Sequence, residues 1–307
     1  MDYLLHGNAA LALASAIIWG GGDFSGGVAV KAAGGSMRAA FRVVLVSHTV
    51  SLLILLAVSL LWGGARPSGV CVSWGLVAGL LAALSLTTFY VALSGGAMGA
   101  AAALSGLLAA AIPAAVSSVT EGLPGTLRLA GFAVAGVAIW LVAAGATPSS
   151  TDEAEPLRQH KRADRRAMSF AIAAGVGFGL YFIAMKMAGR DGLLWPMTSV
   201  RVGSFATCAV LVFATLRRSE ASATQTSTYL PRRAVLWAMG PAFLDTGGNL
   251  LFMAATRMGR LDVASVLASL YPASTILLAA WMFHERPTRR QGLGMLVAAA
   301  AVVMISL

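Results

Sequence analysis

Charge is scarce in this chain. Charged residues make up 11% of its 307 residues and hydrophobic ones 58%, whereas a soluble domain carries roughly 25% charge. So few charges cannot cover the surface of a water-soluble fold of this length, which excludes that class. Cysteine is nearly absent. Cys71 and Cys208 are the only two, and their separation offers neither a disulfide framework nor a metal-binding spacing. Histidine is equally thin: His6, His48, His160 and His284 make no H-E-x-x-H pair, and no G-x-x-x-x-G-K-S/T loop exists to cradle phosphates. No serine or cysteine sits in a nucleophile motif. An enzyme, an ATP-driven machine, a metal and a cofactor are therefore not expected. The formal net charge of +10 does not point to nucleic acid either. The basic residues stand in short clusters between apolar runs, as in loops that meet anionic headgroups.

What the chain has in abundance is apolar length. A spanning helix needs about 20 mainly apolar residues, because the bilayer core offers its backbone no partners. Ten such runs are readable, at 8–30, 37–62, 70–94, 98–120, 127–146, 168–189, 196–216, 233–256, 262–284 and 289–307. The chain opens Met1-Asp2-Tyr3, without the basic start of a signal peptide, so the first run is expected to stay as a helix. Two stretches read as solvated loops by composition: Thr147–Arg166, dense in charge, and Arg217–Arg233, with the polar tract Ser222–Thr228. Most other connections are short, such as Ser94-Gly95-Gly96.

The charged loop falls after the fifth run and divides the chain into two similar halves, 1–146 and 168–307, joined by 147–167. Ala16-Ile17, Gly20, Gly22 and Lys31 recur as Ala171-Ile172, Gly175, Gly177 and Lys186 at one constant offset. Arg42-Val43 recurs as Arg201-Val202, and Tyr90-Val91-Ala92 corresponds to Phe252-Met253-Ala254. The fourth and ninth runs end at Glu121 and Glu285, each followed by a proline (Pro124, Pro287) and a Gly-rich last run. Five spans per half is an odd number, so the second half enters the membrane from the opposite side. The expected fold is all-α: a polytopic membrane protein of ten transmembrane helices in two inverted five-helix repeats, with a solute site near the midplane between them.

Two five-helix halves, each closing on an acid before a proline and a Gly-rich final helix, resemble the drug/metabolite transporter superfamily and its EamA-type repeats. The second half, with Pro272, Glu285, Gln291 and Gly294, is the better match. In the first, Pro113 lies nearer Glu121 than Pro272 does to Glu285, and Gly131 is one position late relative to Gly294. Within that superfamily the Gly-rich first helix and the chain length resemble bacterial exporters of amino acids, aromatic ones included. The resemblance implies export without ATP, through a large central cavity, in a bacterial inner membrane. The implied partners are the lipid bilayer and a small solute, an amino acid or amphiphilic metabolite, handled by a monomer. A multidrug or nucleotide-sugar-like exchanger is the alternative, and a scaffold or lipid-handling enzyme the distant one.

Ionisable residues inside a bilayer face a cavity or a partner. Here they are Asp23, Arg42, Lys186, Arg201 and Asp245. Asp245, Asn249 and Phe252 share one face of the eighth span, and the related positions Ala83, Thr87 and Tyr90 share one face of the third. Such a polar and aromatic stripe suits an amphiphilic solute. Asp245 either attracts a solute ammonium or pairs with Arg201 or Arg42. Trp19 and Asp23 share a face of the first span beside Gly20, Gly21 and Gly22, which serve as a hinge or as a close-packing surface. Tyr271 and Pro272 interrupt the ninth span, a kink and a candidate gate. The expected solute-binding set is thus Trp19, Asp23, Thr87, Tyr90, Asp245, Asn249, Phe252 and Tyr271. The expected gating set is Gly20, Gly21, Gly22 and Pro272. Glu121 and Glu285 read as surface ion pairs, with Arg128 and Arg286 near in sequence, rather than coupling carboxylates, and His48 as a packed residue rather than a proton relay.

Sidedness is read differently by two criteria. Lys and Arg are concentrated in the loops on the side of the central charged stretch, which places that stretch in the cytoplasm and both termini outside. The superfamily resemblance implies the reverse.

Overall fold

The computed structural model describes residues 2–94, 98–144, 157–220, 230–283 and 288–306, all of it helix and short connection. The helices are α1 (Asp2–Ala32), α2 (Met37–Trp62), α3 (Gly69–Ser94), α4 (Met98–Thr120), α5 (Thr126–Ala144) and α6 (Leu157–Ala188). They continue with α7 (Leu194–Glu220), α8 (Arg232–Met258), α9 (Leu261–Ala268), α10 (Tyr271–Phe283) and α11 (Arg289–Ser306). The Ser94-Gly95-Gly96 turn beyond Ser94, the loop tract 147–156, Ser222–Thr228, and His284 to Pro287 with Glu285 lie outside the described residues.

Local chemistry sets the connections. After α1 the chain reverses through Gly34 and Gly35, both at positive φ (94° and 66°), where a side chain would be strained. Ser36 then caps α2, accepting a hydrogen bond from the Ala39 N–H at 3.1 Å. Two expectations need correction. The charged stretch from Leu157 to Arg166 is the start of α6, not loop, and α7 runs on through Arg217 and Arg218 to Glu220. The first stretch is rich in Arg, with Lys, Leu, Ala and Gln, and the second has two Arg and a Glu, all good helix formers, so composition misled where propensity would not. The ninth span is two helices, α9 and α10, separated at Ser269 and Leu270. Pro272 lies in the first turn of α10, where its missing N–H leaves no helix bond unmade.

The molecule is apolar outside and polar within. Leu53, Trp62, Val70, Val210, Phe213, Trp281 and Val303 are exposed, while Ser15, His48, Thr87, Arg201, Asn249 and Ser269 are buried. A continuous apolar exterior of this kind belongs in lipid. Five segments are long and apolar enough to cross a membrane, namely Met37–Trp62, Gly69–Leu93, Ala167–Asp191, Leu194–Thr215 and Leu261–Leu278. Leu104–Thr120 and Thr126–Leu141 are shorter apolar helices. The chain is therefore a multi-pass membrane protein. α1 and α8 fall outside that set because they carry glycines and Asp23, Asp245 and Asn249. They pack chiefly on each other, with Asp23, Asp245 and Asn249 buried while Ile17, Leu236 and Phe243 face the exterior.

The packing has a regularity. α1 packs on α8 and on the α9–α10 pair; α6 packs on α3 and on α4; α2 meets α7, and α5 meets α11. Exchanging α1 with α6, α2 with α7, α3 with α8, α4 with α9–α10 and α5 with α11 maps these main contacts onto one another. The recurring glycines obey the same exchange. A Cβ on Gly20 would sit 1.9 Å from Ser274 Oγ of α10, and one on Gly175 would sit 2.8 Å from Ser105 O of α4.

Elsewhere the backbones touch outright. A Cβ on Gly79 of α3 would lie 2.2 Å from the Val200 carbonyl oxygen and 2.6 Å from the Ser204 nitrogen of α7. Neither is a flexible side chain. Gly79→Ala is therefore expected to force the two helices apart, an overpacking cost of about 1–3 kcal/mol, read as a lower melting temperature in detergent. Gly69→Ala, at a position with nothing within 4 Å, is the control and should melt like the parent. Equal melting of both variants would refute the close α3–α7 contact.

Candidate functional site

Three helices meet at a buried charge. Arg201 of α7 is fully buried. Its Nη2 donates to Asp245 Oδ2 at 2.5 Å and to Thr246 Oγ1 at 2.9 Å, both on α8. Its Nη1 lies 3.0 Å from His48 Nε2 on α2. A guanidinium only donates, so His48 Nε2 accepts. Asp245 is thus ion-paired with Arg201, one of the partners expected for it.

From Asp245 the hydrogen bonding runs on. Asn249 Nδ2 donates to Asp245 Oδ2 at 3.2 Å, and Asn249 Oδ1 accepts from Trp19 Nε1 at 2.9 Å. The Trp19 indole is thereby fixed across the α1–α8 contact. Its ring stacks on Phe182 of α6, with centroids 5.3 Å apart and an interplanar angle of 4°. Phe252 packs behind both rings, 4.5 Å from Phe182 and 5.5 Å from Trp19.

A cavity opens in front of this assembly. Trp19 and Asp23 of α1 and Ala82 and Leu86 of α3 form part of its wall. Phe178, Tyr181 and Phe182 of α6, Asp245 and Asn249 of α8, and Tyr271 of α10 complete it. Both halves thus contribute. Its volume is about 30 Å³, room for about two waters. Among the described residues no group of His, Cys, Asp and Glu is arranged to hold a metal ion.

Five of the expected solute-binding residues come together here: Trp19, Asp23, Asp245, Asn249 and Tyr271. Three do not line the cavity. Thr87 Oγ1 turns back to its own helix, donating towards Ala83 O at 2.7 Å and Leu84 O at 3.0 Å. Tyr90 lies flat against Gly26, where a Cβ would be 2.3 Å from Tyr90 Cζ, and Phe252 forms the second layer. Of the expected gating residues, Gly20, Gly21 and Gly22 lie within an unbroken α1. Gly20 lets α10 approach, so that Ser274 Oγ donates to Ala16 O at 3.0 Å and Thr275 Oγ1 to Gly20 O at 3.2 Å. Gly22 lies against the Asp245 backbone. Pro272 opens α10, beside the interruption. The residues the sequence reading overlooked are Phe178, Tyr181 and Phe182. Their i, i+3, i+4 spacing was a usable signal, hidden among the many apolar residues of α6.

One end of the bundle is laced shut. Lys186 at the end of α6 pairs with Glu121 at the end of α4, a partner distant in sequence where Arg128 was nearest. Arg260 forks onto the buried Asp262 at 2.7 Å and donates to the carbonyls of Glu121 (3.0 Å) and Gly122 (2.7 Å). Arg257 reaches Arg190 O at 2.8 Å, and Asp191 accepts from the Ser68 N–H at 2.7 Å. α3, α4, α6, α8 and α9 are joined at this end.

Comparison with known proteins gives the setting. Residues 165–307 match the EamA-like transporter family, so the second half carries a domain of that kind. A solved structure titled only "Crystal structure of protein" aligns over 98% of both chains with a TM-score of 0.71 and 14% identity, a likeness of fold alone. No curated protein matches the chain by sequence.

Breaking the Arg201–Asp245 pair from either side leaves a buried charge without its partner, at a cost of roughly 3–5 kcal/mol. Arg201→Met and Asp245→Asn are each expected to lower the melting temperature in detergent strongly. The double variant should be less destabilised than the sum of the two, because it leaves no orphan charge. Strictly additive losses would show that the pair is not coupled.

Proposed function

We propose, from an EamA-like domain in the second half and a cavity walled by both halves, that this chain is a secondary membrane transporter. It exports amino acids, aromatic ones included, and related amphiphilic metabolites by alternating access across a bacterial inner membrane, as a monomer. The observation that carries the reading is the cavity itself. Acids and aromatic rings face inward from α1, α6, α8 and α10 while the outer surface is apolar, and polar contacts tie the helices together at one end of the bundle.

The two halves, 1–146 and 168–307, are read as inverted repeats. Five spans each give opposite orientation, and the exchange of packed pairs between α1–α5 and α6–α11 supports a twofold relation. Two related arrangements of the same contacts are what alternating access requires. The likeness to bacterial aromatic amino-acid exporters rests on the sequence pattern. The nucleotide-sugar reading is disfavoured, since the described wall has two carboxylates and no basic side chain to meet a phosphate.

The test is reconstitution in liposomes with labelled phenylalanine, tryptophan and a panel of neutral solutes. Saturable, ATP-independent counterflow of the amino acids is expected, and its absence for every solute would overturn the reading. A second outcome follows from the laced end. Lys186 and Glu121 have side chains about one-quarter exposed (25% and 24%), so the pair is worth at most about 1 kcal/mol. Glu121→Gln should leave the melting temperature within a few degrees yet change flux severalfold, because it biases closure at that end. Unchanged flux would separate this pair from gating.

A further inference from the structure

We infer that the cavity grips its solute by a cationic amine at Asp23, and that it prefers aromatic amines lacking a carboxylate to the corresponding amino acids. The inference rests on the transporter reading and narrows its solute class.

Asp23 is 8% exposed and lines the cavity. Among the described residues it has neither a hydrogen-bond donor nor a cation as partner; the charged group acting on it is another acid, Asp245. Asp245 is already matched by Arg201 at 2.5 Å. The wall therefore carries one carboxyl group without a partner, and ionising it with no cation beside it is costly. An ammonium group brought by the solute supplies the missing partner through charge-assisted hydrogen bonds.

The same wall offers no partner to the other end of an amino acid. None of the ten lining residues is Lys, Arg or His. Arg201, the nearby cation, is fully buried and directs both terminal nitrogens to Asp245, Thr246 and His48. A solute carboxylate would enter a buried space with no free base to match it, which is costly.

Asp23 also has suitable neighbours. Trp19 lies one helical turn before it on the same face of α1, with its ring held by Asn249 and stacked on Phe182. Tyr271 and Phe178 complete an aromatic wall. Ring faces attract cations and stack on flat apolar bodies, so the solute is an amine with an aromatic body rather than a short alkylamine.

The experiment is calorimetric titration of the purified full chain in detergent with 2-phenylethylamine, phenylalanine and 2-phenylethanol, which share one ring and differ in their charges. The amine is expected to bind at least about tenfold more tightly than the amino acid, with no measurable binding of the neutral alcohol. Asp23→Asn should abolish the advantage of the amine, and its melting temperature is measured alongside. If that variant does not fold, the ranking on the parent protein decides the matter alone. Phenylalanine binding as tightly as the amine, full amine affinity in Asp23→Asn, or no binding of any of the three overturns the inference. Flux separates it from the reading beneath it. Selective amine binding without flux of any solute removes the transporter and leaves the recognition site. Amino-acid flux with no preference for the amine removes the recognition site and leaves the transporter.

Discussion

Arg201 carries a permanent charge into a place that water does not reach, and much of the interior is arranged around that fact. A guanidinium cannot neutralise itself by losing a proton, so its environment must answer it. Asp245 and Thr246 do so from α8 and His48 from α2. One residue thereby fixes the mutual placement of three helices. It also decides the electrostatics of the cavity next to it. Because Asp245 is engaged with Arg201, the acid left without a partner in the described wall is Asp23, on the first span.

The ion pair is tolerable because the helices around it come so close. Membrane helices gain no hydrophobic drive from meeting each other and depend on fit. Small residues supply the fit: Gly79 against the α7 backbone, Gly20 against α10, Gly22 against the Asp245 backbone. Where small residues give way to large rings, the packing opens into the cavity. Close contact along the helix pairs and aromatic lining at their centre are two results of one distribution of side-chain sizes.

Membrane residence and the approximate positions of the helices were legible in the sequence because each rests on a long-range pattern, apolar runs of bilayer length. Trp19, Asp23, Asp245, Asn249 and Tyr271 were legible as cavity residues for a related reason. Polar and large aromatic side chains stand out against an Ala, Leu and Gly background. Phe178, Tyr181 and Phe182 do not stand out among the apolar residues of α6, and the helical start of α6 was masked by its charge.

What the sequence by itself determined is therefore where the chain meets lipid and which few groups cannot face it, since the cost of exposing a charge or a backbone amide to hydrocarbon depends on residue type alone. The tertiary structure alone decided who partners whom. Asp245 took Arg201, Glu121 took Lys186 and not Arg128, and Tyr90 and Thr87 turned behind the cavity wall. Each of those choices depends on distances of a few ångströms between helices far apart in the chain, which no spacing along it encodes.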